Sequence, residues 1–176
     1  MKLPLKDAER CIELLDKLDI FALETYDTFQ KYKGKVVHDF NQFRKEIRDV
    51  REKDDHFIDN FLLHHPLLPE EDKKLIESWK NSVSDMFYIL EYKKKHALFF
   101  SPEKKRLYGV LALTDSFEVM VPYNVHSIIV ETTLLPYNDH IVWDGLVAIR
   151  EIPLDMQVIK FCLLAACRPF SVTTQL

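Results

Sequence analysis

The chain has 176 residues, of which 47% are hydrophobic and 30% are charged, a composition typical of an ordinary globular domain and not of a disordered chain. Its three glycines are far apart, which argues against a glycine-rich phosphate-binding loop. The cysteines are odd in number, and no apolar run reaches the length of a membrane span. Without a recognisable signal peptide, the chain is expected to be soluble and cytoplasmic.

Apolar residues recur at helical spacing through the first part of the chain. Residues 5–18 show three- and four-residue steps, and a second helical piece is predicted from Phe21 to about Tyr32, ending at Gly34. The longest periodic stretch covers residues 36–61, with Asp54 as its polar interruption. It predicts one helix of about 28 residues that packs lengthwise on the first helix, with a homodimer through the same face as the alternative.

The segment 64–69 is predicted to end this helix, because proline disfavours the helical conformation in the residue before it. A short helix is expected from Glu70 to Ser78, where three acidic residues favour its start. After Trp79 the apolar period changes from 3.6 to 2. This change predicts three strands, at residues 86–92, 96–101 and 106–113.

Two more strands are predicted at residues 128–135 and 141–149, since the loop between them contains proline, asparagine and aspartate. A final helix is expected to begin at Pro153 and to end before Pro169, with Cys162 and Cys167 in its apolar run.

These elements predict an α+β protein with a helical N-terminal half, residues 1–65, and a sheet region, residues 70–176. The helices are expected to pack on a five-stranded antiparallel, partly barrel-like sheet that carries the C-terminal helix. The two regions are expected to form one compact unit.

Two stretches of the sheet region carry a resemblance. The runs LYGVLALTDSFEVM and ETTLLPYNDHIVWDGLV resemble a recurring segment of uncharacterised bacterial proteins, in which a YGVLALTD-like stretch precedes a TLLPxxxxIxxDGL-like hairpin. The resemblance covers about residues 79–147 and implies a bacterial, soluble protein. It implies no particular activity.

Histidines and carboxylates suggest two sites for chemistry. His56 and Asp59 are three residues apart and share a helix face, so His64 or His65 could complete a metal site for hydrolysis. The spacing matches no established metal motif, and exposed histidines at a helix end explain the pattern more simply.

The second possible site is the predicted hairpin at residues 128–149. There Asp139, His140, Asp144 and Glu131 could act as general acid and base. Asp139 and Asp144 also have the ordinary role of turn and bulge residues, which is the more common explanation.

Charge is distributed unevenly along the chain. The net charge is −3 for residues 1–75, +3 for 76–109 and −4 for 110–176. The positive charge is concentrated in two predicted turns, formed by Lys93, Lys94, Lys95, Lys104, Lys105 and Arg106. Aromatic residues lie between them in the segment 88–108, a combination that also suits single-stranded nucleic acid.

No catalytic, metal or cofactor signature stands out, so the sequence favours a non-catalytic protein–protein interaction or regulatory module that uses the basic residues as its surface. Nucleic-acid binding through residues 88–108 is the first alternative. Metal-assisted hydrolysis at His56, Asp59 and His64 is the second. No cofactor and no membrane partner are expected.

Overall fold

A computed structural model describes residues 2–35, 39–120, 128–145 and 148–151 of the chain. The chain divides into two units. A helical unit comprises Glu9–Lys80, and a barrel unit comprises the described residues up to Ala8 and from Asn81 onward. The division lies later in the chain than the predicted break at residues 64–69, because the short helix after the prolines belongs to the helical unit.

The helical unit contains most of the helices of the described residues. Their bounds are Leu5–Thr25 (α1), Phe40–Lys53 (α2), Phe57–His64 (α3) and Glu70–Ser78 (α4), with a 3-10 turn at Asp27–Tyr32. The turn is followed by Gly34 at φ +70°, a conformation that glycine adopts without strain. Within the described residues, no helix has both the length and the apolar character needed to cross a membrane.

The prediction of one helix over residues 36–61 is wrong, because the chain breaks between α2 and α3. Asp54 causes the break: it caps the end of α2, and its carboxylate accepts hydrogen bonds from the His56 backbone N–H and the Tyr26 hydroxyl. These bonds lower the pKa of Asp54, with that from Tyr26 contributing most. The polar interruption in the apolar pattern is therefore a helix boundary.

Most of the apolar stripe of α2 and α3, where the structure describes its side chains, is buried in the helical unit. Phe43, Ile47, Phe57 and Phe61 are at most 5% exposed, and the Phe57 and Phe61 rings each lie 5.5 Å from the ring of Phe21 in α1. These four side chains therefore do not form an exposed apolar row. The homodimer through residues 36–61 stays a prediction.

A closed barrel of mixed strands forms the second unit. Its strands are Val83–Tyr92 (β1), Ala97–Ser101 (β2), Arg106–Leu111 (β3), Ile128–Tyr137 (β4), His140–Trp143 (β5) and Ala148–Glu151 (β6). They pair in the order β1-β2-β3-β5-β4, and β4 pairs again with β1 to close the ring. A short helix, Phe117–Met120 (α5), follows β3.

The expectation of a purely antiparallel sheet is wrong at one pair, because β3 and β5 run parallel. The strand predicted over residues 141–149 is also divided into β5 and β6, which lie one after the other along the same edge of β4. Gly145, at φ +82°, marks this division. The predicted helix after Pro153, with Cys162 and Cys167, lies outside the described residues.

Aromatic rings fill the barrel. Phe87 lies 6.0 Å from Phe99 and 5.8 Å from Tyr108, and the ring of Phe117 from α5 lies 5.2 Å from both Phe99 and Trp143. All five side chains are buried. A five-stranded barrel is narrow enough for such rings to occupy its centre, so its interior is a packed core.

The partly buried ion pair between Asp19 and Arg44 provides a test of the helical unit. The Arg44 Nε atom lies 3.0 Å from Asp19 Oδ2, and the Asp19 side chain is 14% exposed. Burial raises the pKa of Asp19 to about 6 from its ordinary 3.8, and the charges of Arg44 and Arg51 only partly oppose this. The folded state therefore binds this proton more tightly than the unfolded state does.

We predict that the contribution of Asp19 to stability is largest below pH 3.8 and is lost as the pH rises to about 6. The free energy of unfolding of the wild type, relative to Asp19→Asn, should fall by up to about 3 kcal/mol between pH 4 and pH 7. Urea unfolding followed by circular dichroism measures this difference. Asp55→Asn, an exposed site, controls for the loss of one negative charge. A difference that does not change with pH would contradict the prediction.

Candidate interaction surface

Polar side chains from four strands, and from the residue that follows a fifth, meet in the interior of the barrel unit. They form a polar row of Tyr108 (β3), Ser101 (β2), Asp85 (β1), Thr132 (β4) and Asp144, which directly follows β5. Asp85 and Thr132 are cross-strand partners, and Thr132 Oγ1 lies 3.4 Å from Asp144 Oδ1. All except Asp85 are at most 3% exposed.

Hydrogen bonds inside the row give Ser101 a structural role. Its hydroxyl donates to Asp85 Oδ2 and accepts from the Lys104 backbone N–H at 2.9 Å. Asp85 Oδ1 accepts from the backbone N–H of Met86 at 2.7 Å. Because the Ser101 hydroxyl is buried and tied to the turn after β2, its observed bonds fix that turn and do not expose a nucleophile.

The Tyr108 hydroxyl differs from the Ser101 hydroxyl in its hydrogen bonding. Its oxygen is buried and has no hydrogen-bond partner within the described part of the chain. Burial raises the pKa of Tyr108; the charge of Arg106 and its side-chain contact with the hydroxyl, which does not have the geometry of a hydrogen bond, oppose this rise, and the charge of Asp85 adds to it. The phenol is therefore held in its neutral form.

The histidines of the predicted metal site lie at the two ends of α3. His56 precedes the helix and is exposed, whereas His64 Nδ1 lies 2.7 Å from the Asn60 carbonyl oxygen. Asp59 Oδ1 accepts a hydrogen bond from Lys80 Nζ at 2.5 Å. In the described ranges, no three or more His, Cys, Asp or Glu side chains are grouped so that they could hold a metal ion.

The acid–base candidates of the β4–β5 hairpin lie at different places. Asp139 and His140 are exposed at the turn, whereas Asp144 is buried at the other end of β5. Four strand residues lie between the turn and Asp144, a span of about 13 Å. Glu131 is half-buried in β4 and pairs with Met86 and Ala148. The structure thus brings Asp144, but not Asp139 or His140, into the polar row.

Two basic turns stand at opposite ends of β2. The first basic turn, Lys93 to Lys95, joins β1 to β2, and the second, Lys104 to Arg106, leads into β3. All six side chains are exposed. Because β2 is five residues long, about 13 Å of strand separates the two groups. They present two positive surfaces instead of one continuous patch.

The aromatic residues between the basic turns are largely unavailable for stacking with bases. Phe99, Phe100 and Tyr108 are buried, and Tyr88 and Tyr92 are half-buried. Single-stranded nucleic acid requires exposed rings beside the charges. Three of the five aromatic rings that the nucleic-acid alternative requires are therefore too buried to stack with bases.

His96 is a residue of this surface that the sequence analysis did not single out. It directly follows the first basic turn, and its backbone oxygen accepts a hydrogen bond from the Lys93 N–H at 2.9 Å. The run KKKH was visible in the sequence, but only the pairing of β2 with β3 shows that the imidazole lies over Gly109. Its position therefore depends on tertiary structure.

Comparison with known proteins yields no match: neither a protein-family model, nor a curated protein, nor a solved structure resembles this chain significantly. The resemblance of residues 79–147 to uncharacterised bacterial proteins therefore stays a prediction. Function has to be argued from the geometry of the chain itself.

The polar row yields a paired prediction. Ser101→Ala removes a buried hydroxyl that donates to Asp85 and accepts from Lys104, and it should lower the free energy of unfolding by about 1–2 kcal/mol. Tyr108→Phe removes a hydroxyl that lacks a partner, so stability should stay the same or rise by up to about 1 kcal/mol. Urea unfolding of both variants tests the pair. Equal destabilisation by both would show that the Tyr108 hydroxyl is bonded.

Proposed function

We propose that this protein is a non-catalytic protein–protein interaction module that binds an acidic surface of its partner through the basic turns of the barrel unit. The observation that carries the proposal is the placement of Lys93, Lys94 and Lys95 at the exposed tip of the hairpin between β1 and β2. Three neighbouring ammonium groups attract carboxylates and accelerate their encounter.

The hairpin that carries this tip is paired into the closed ring. β1 pairs with β2 over Tyr88–Tyr92 and with β4 over Val83–Ile89, so both of its edges take part in the closed ring. Strand pairing restricts the backbone next to the turn, so little of this backbone has to be ordered when a partner binds. Glu91 lies 3.6 Å from Lys93 and offsets only part of the positive charge.

The first basic turn is the stronger of the two surfaces. The turn that joins β1 to β2 contains no acidic residue, whereas Glu103 lies within the turn that joins β2 to β3. The second turn is also tied back to the barrel through Ser101. We therefore assign the main contact to Lys93, Lys94 and Lys95, with Lys104, Lys105 and Arg106 in a secondary role.

A non-catalytic role is supported by the burial of the polar row. Ser101, Thr132 and Asp144 are the polar side chains of the barrel nearest to an acid–base arrangement, and each is at most 3% exposed. A substrate would have to displace packed side chains to reach them. Burial of this kind favours a structural role over catalysis.

We predict that the triple variant Lys93→Glu, Lys94→Glu, Lys95→Glu recovers at least about tenfold less partner than the wild type does in affinity capture. Reversing Lys104, Lys105 and Arg106 should reduce recovery less. Raising the salt concentration should weaken the wild-type interaction, because these charges are exposed.

The matched control is the variant Lys33→Glu, Lys35→Glu, Lys53→Glu, which makes the same charge change at exposed lysines of the helical unit. It should recover as much partner as the wild type does. Equal recovery by the Lys93–Lys95 variant would contradict the proposal. Capture that nuclease treatment abolishes would favour the nucleic-acid alternative.

A further inference from the structure

The imidazole of His96, the residue that directly follows the first basic turn, lies against Gly109 of β3. A Cβ atom placed on Gly109 would lie 3.1 Å from His96 Cδ2 and 3.2 Å from Cγ, so the ring occupies the space that a side chain at this position would need. Glycine at position 109 thus makes room for the ring. The hydrogen bond from the Lys93 N–H to the His96 oxygen fixes the backbone of the same turn.

The Nε2 atom of His96 is buried and has no hydrogen-bond partner within the described part of the chain. Such an atom is stable when the imidazole is neutral, because a second proton would leave a poorly solvated charge. Burial lowers the pKa of His96, Lys93 lowers it further, and Glu91 opposes both.

Among the described residues, the charged groups that shift the pKa of the ring come from its own hairpin. Lys93 disfavours a second proton and Glu91 favours it, whereas the residue that β3 brings against the ring, Gly109, carries no charge. A carboxylate that docks on Lys93, Lys94 and Lys95 would add a negative charge near the ring. Its charge would act in the same direction as that of Glu91 and would oppose the lowering of the His96 pKa by burial and by Lys93.

We infer that His96 makes the binding of an acidic partner at the first basic turn proton-linked, so that the interaction takes up a proton at His96 and tightens as the pH falls. This inference rests on the proposed function and adds that pH regulates the binding of the acidic partner. Linkage is reciprocal: if the bound carboxylates favour the imidazolium, protonation of His96 favours the bound carboxylates to the same extent. The protonated ring then acts as a fourth positive charge of the turn.

The experiment uses a deca-aspartate peptide and the full chain, with binding measured by isothermal titration calorimetry from pH 5.5 to 8.0. Aspartate side chains stay ionised over this range, so the probe keeps its charge. We expect the affinity of the wild type for the peptide to rise about fivefold from pH 8.0 to 5.5. This is at the low end of the range typical of coupled sites, because the turn is exposed and its charges are screened by solvent. Titrations in buffers of different ionisation enthalpy should show proton uptake on binding.

His96→Gln should bind the peptide with an affinity that varies much less with pH. His140→Gln, an exposed histidine at the β4–β5 turn, is the matched control and should keep the wild-type dependence. A pH dependence that survives in His96→Gln would overturn the inference. A wild type that binds equally well at every pH would also overturn it, while leaving the proposed function intact.

A second measurement does not depend on a variant. The His96 ring resonances of the wild type, followed by NMR against pH, should titrate at a higher pH when the peptide is bound than when it is absent. An unchanged titration midpoint would contradict the inference. Absence of peptide binding at every pH would instead contradict the proposed function itself, so the two failures are distinguishable.

Discussion

The pairing of β1 with β4 is the constraint on which the barrel unit depends. Seven consecutive residue pairs, from Val83 with Leu134 to Ile89 with Ile128, join strands that are far apart in the chain. This pairing turns an open sheet into a ring, and closure removes the unpaired edges through which sheets aggregate. It also encloses the aromatic core and anchors the hairpin that carries the first basic turn.

The interior of the ring combines an apolar core with a small amount of polar structure. The aromatic chain from Tyr108 through Phe87, Phe99 and Phe117 to Trp143 supplies buried area, whereas Asp85, Ser101 and Thr132 occupy neighbouring strands at one level. Buried polar groups are tolerated when they bond to one another or to the backbone. The bonds of Ser101 do this and at the same time define the turn after β2.

The sequence allowed prediction of the elements that depend on local pattern. Alternation located β1, β2 and β3, and the residues at 136–140 located the β4–β5 hairpin, because both signals arise from neighbouring residues. Barrel closure and the parallel β3–β5 pair depend on contacts between distant strands, which chain order does not reveal: adjacent strands usually pair, but β3 and β4 do not. Asp54 was recognisable in the sequence as a polar residue within the apolar pattern. Its hydrogen bond with Tyr26, 28 positions earlier, could be found only in the structure.

The basic turns were recognisable as runs of lysine. Their separation by β2 and the packing of His96 on Gly109 could not be predicted without the fold.

In the structure β4 completes a ring by pairing with β1, and cross-strand nuclear Overhauser effects are the measurement that tests this pairing. The structure predicts contacts between backbone protons of residues 83–89 and those of residues 128–134, in antiparallel register with Phe87 opposite Val130. Contacts between β3 and β4, with none between β1 and β4, would instead show an open meander and would contradict the account.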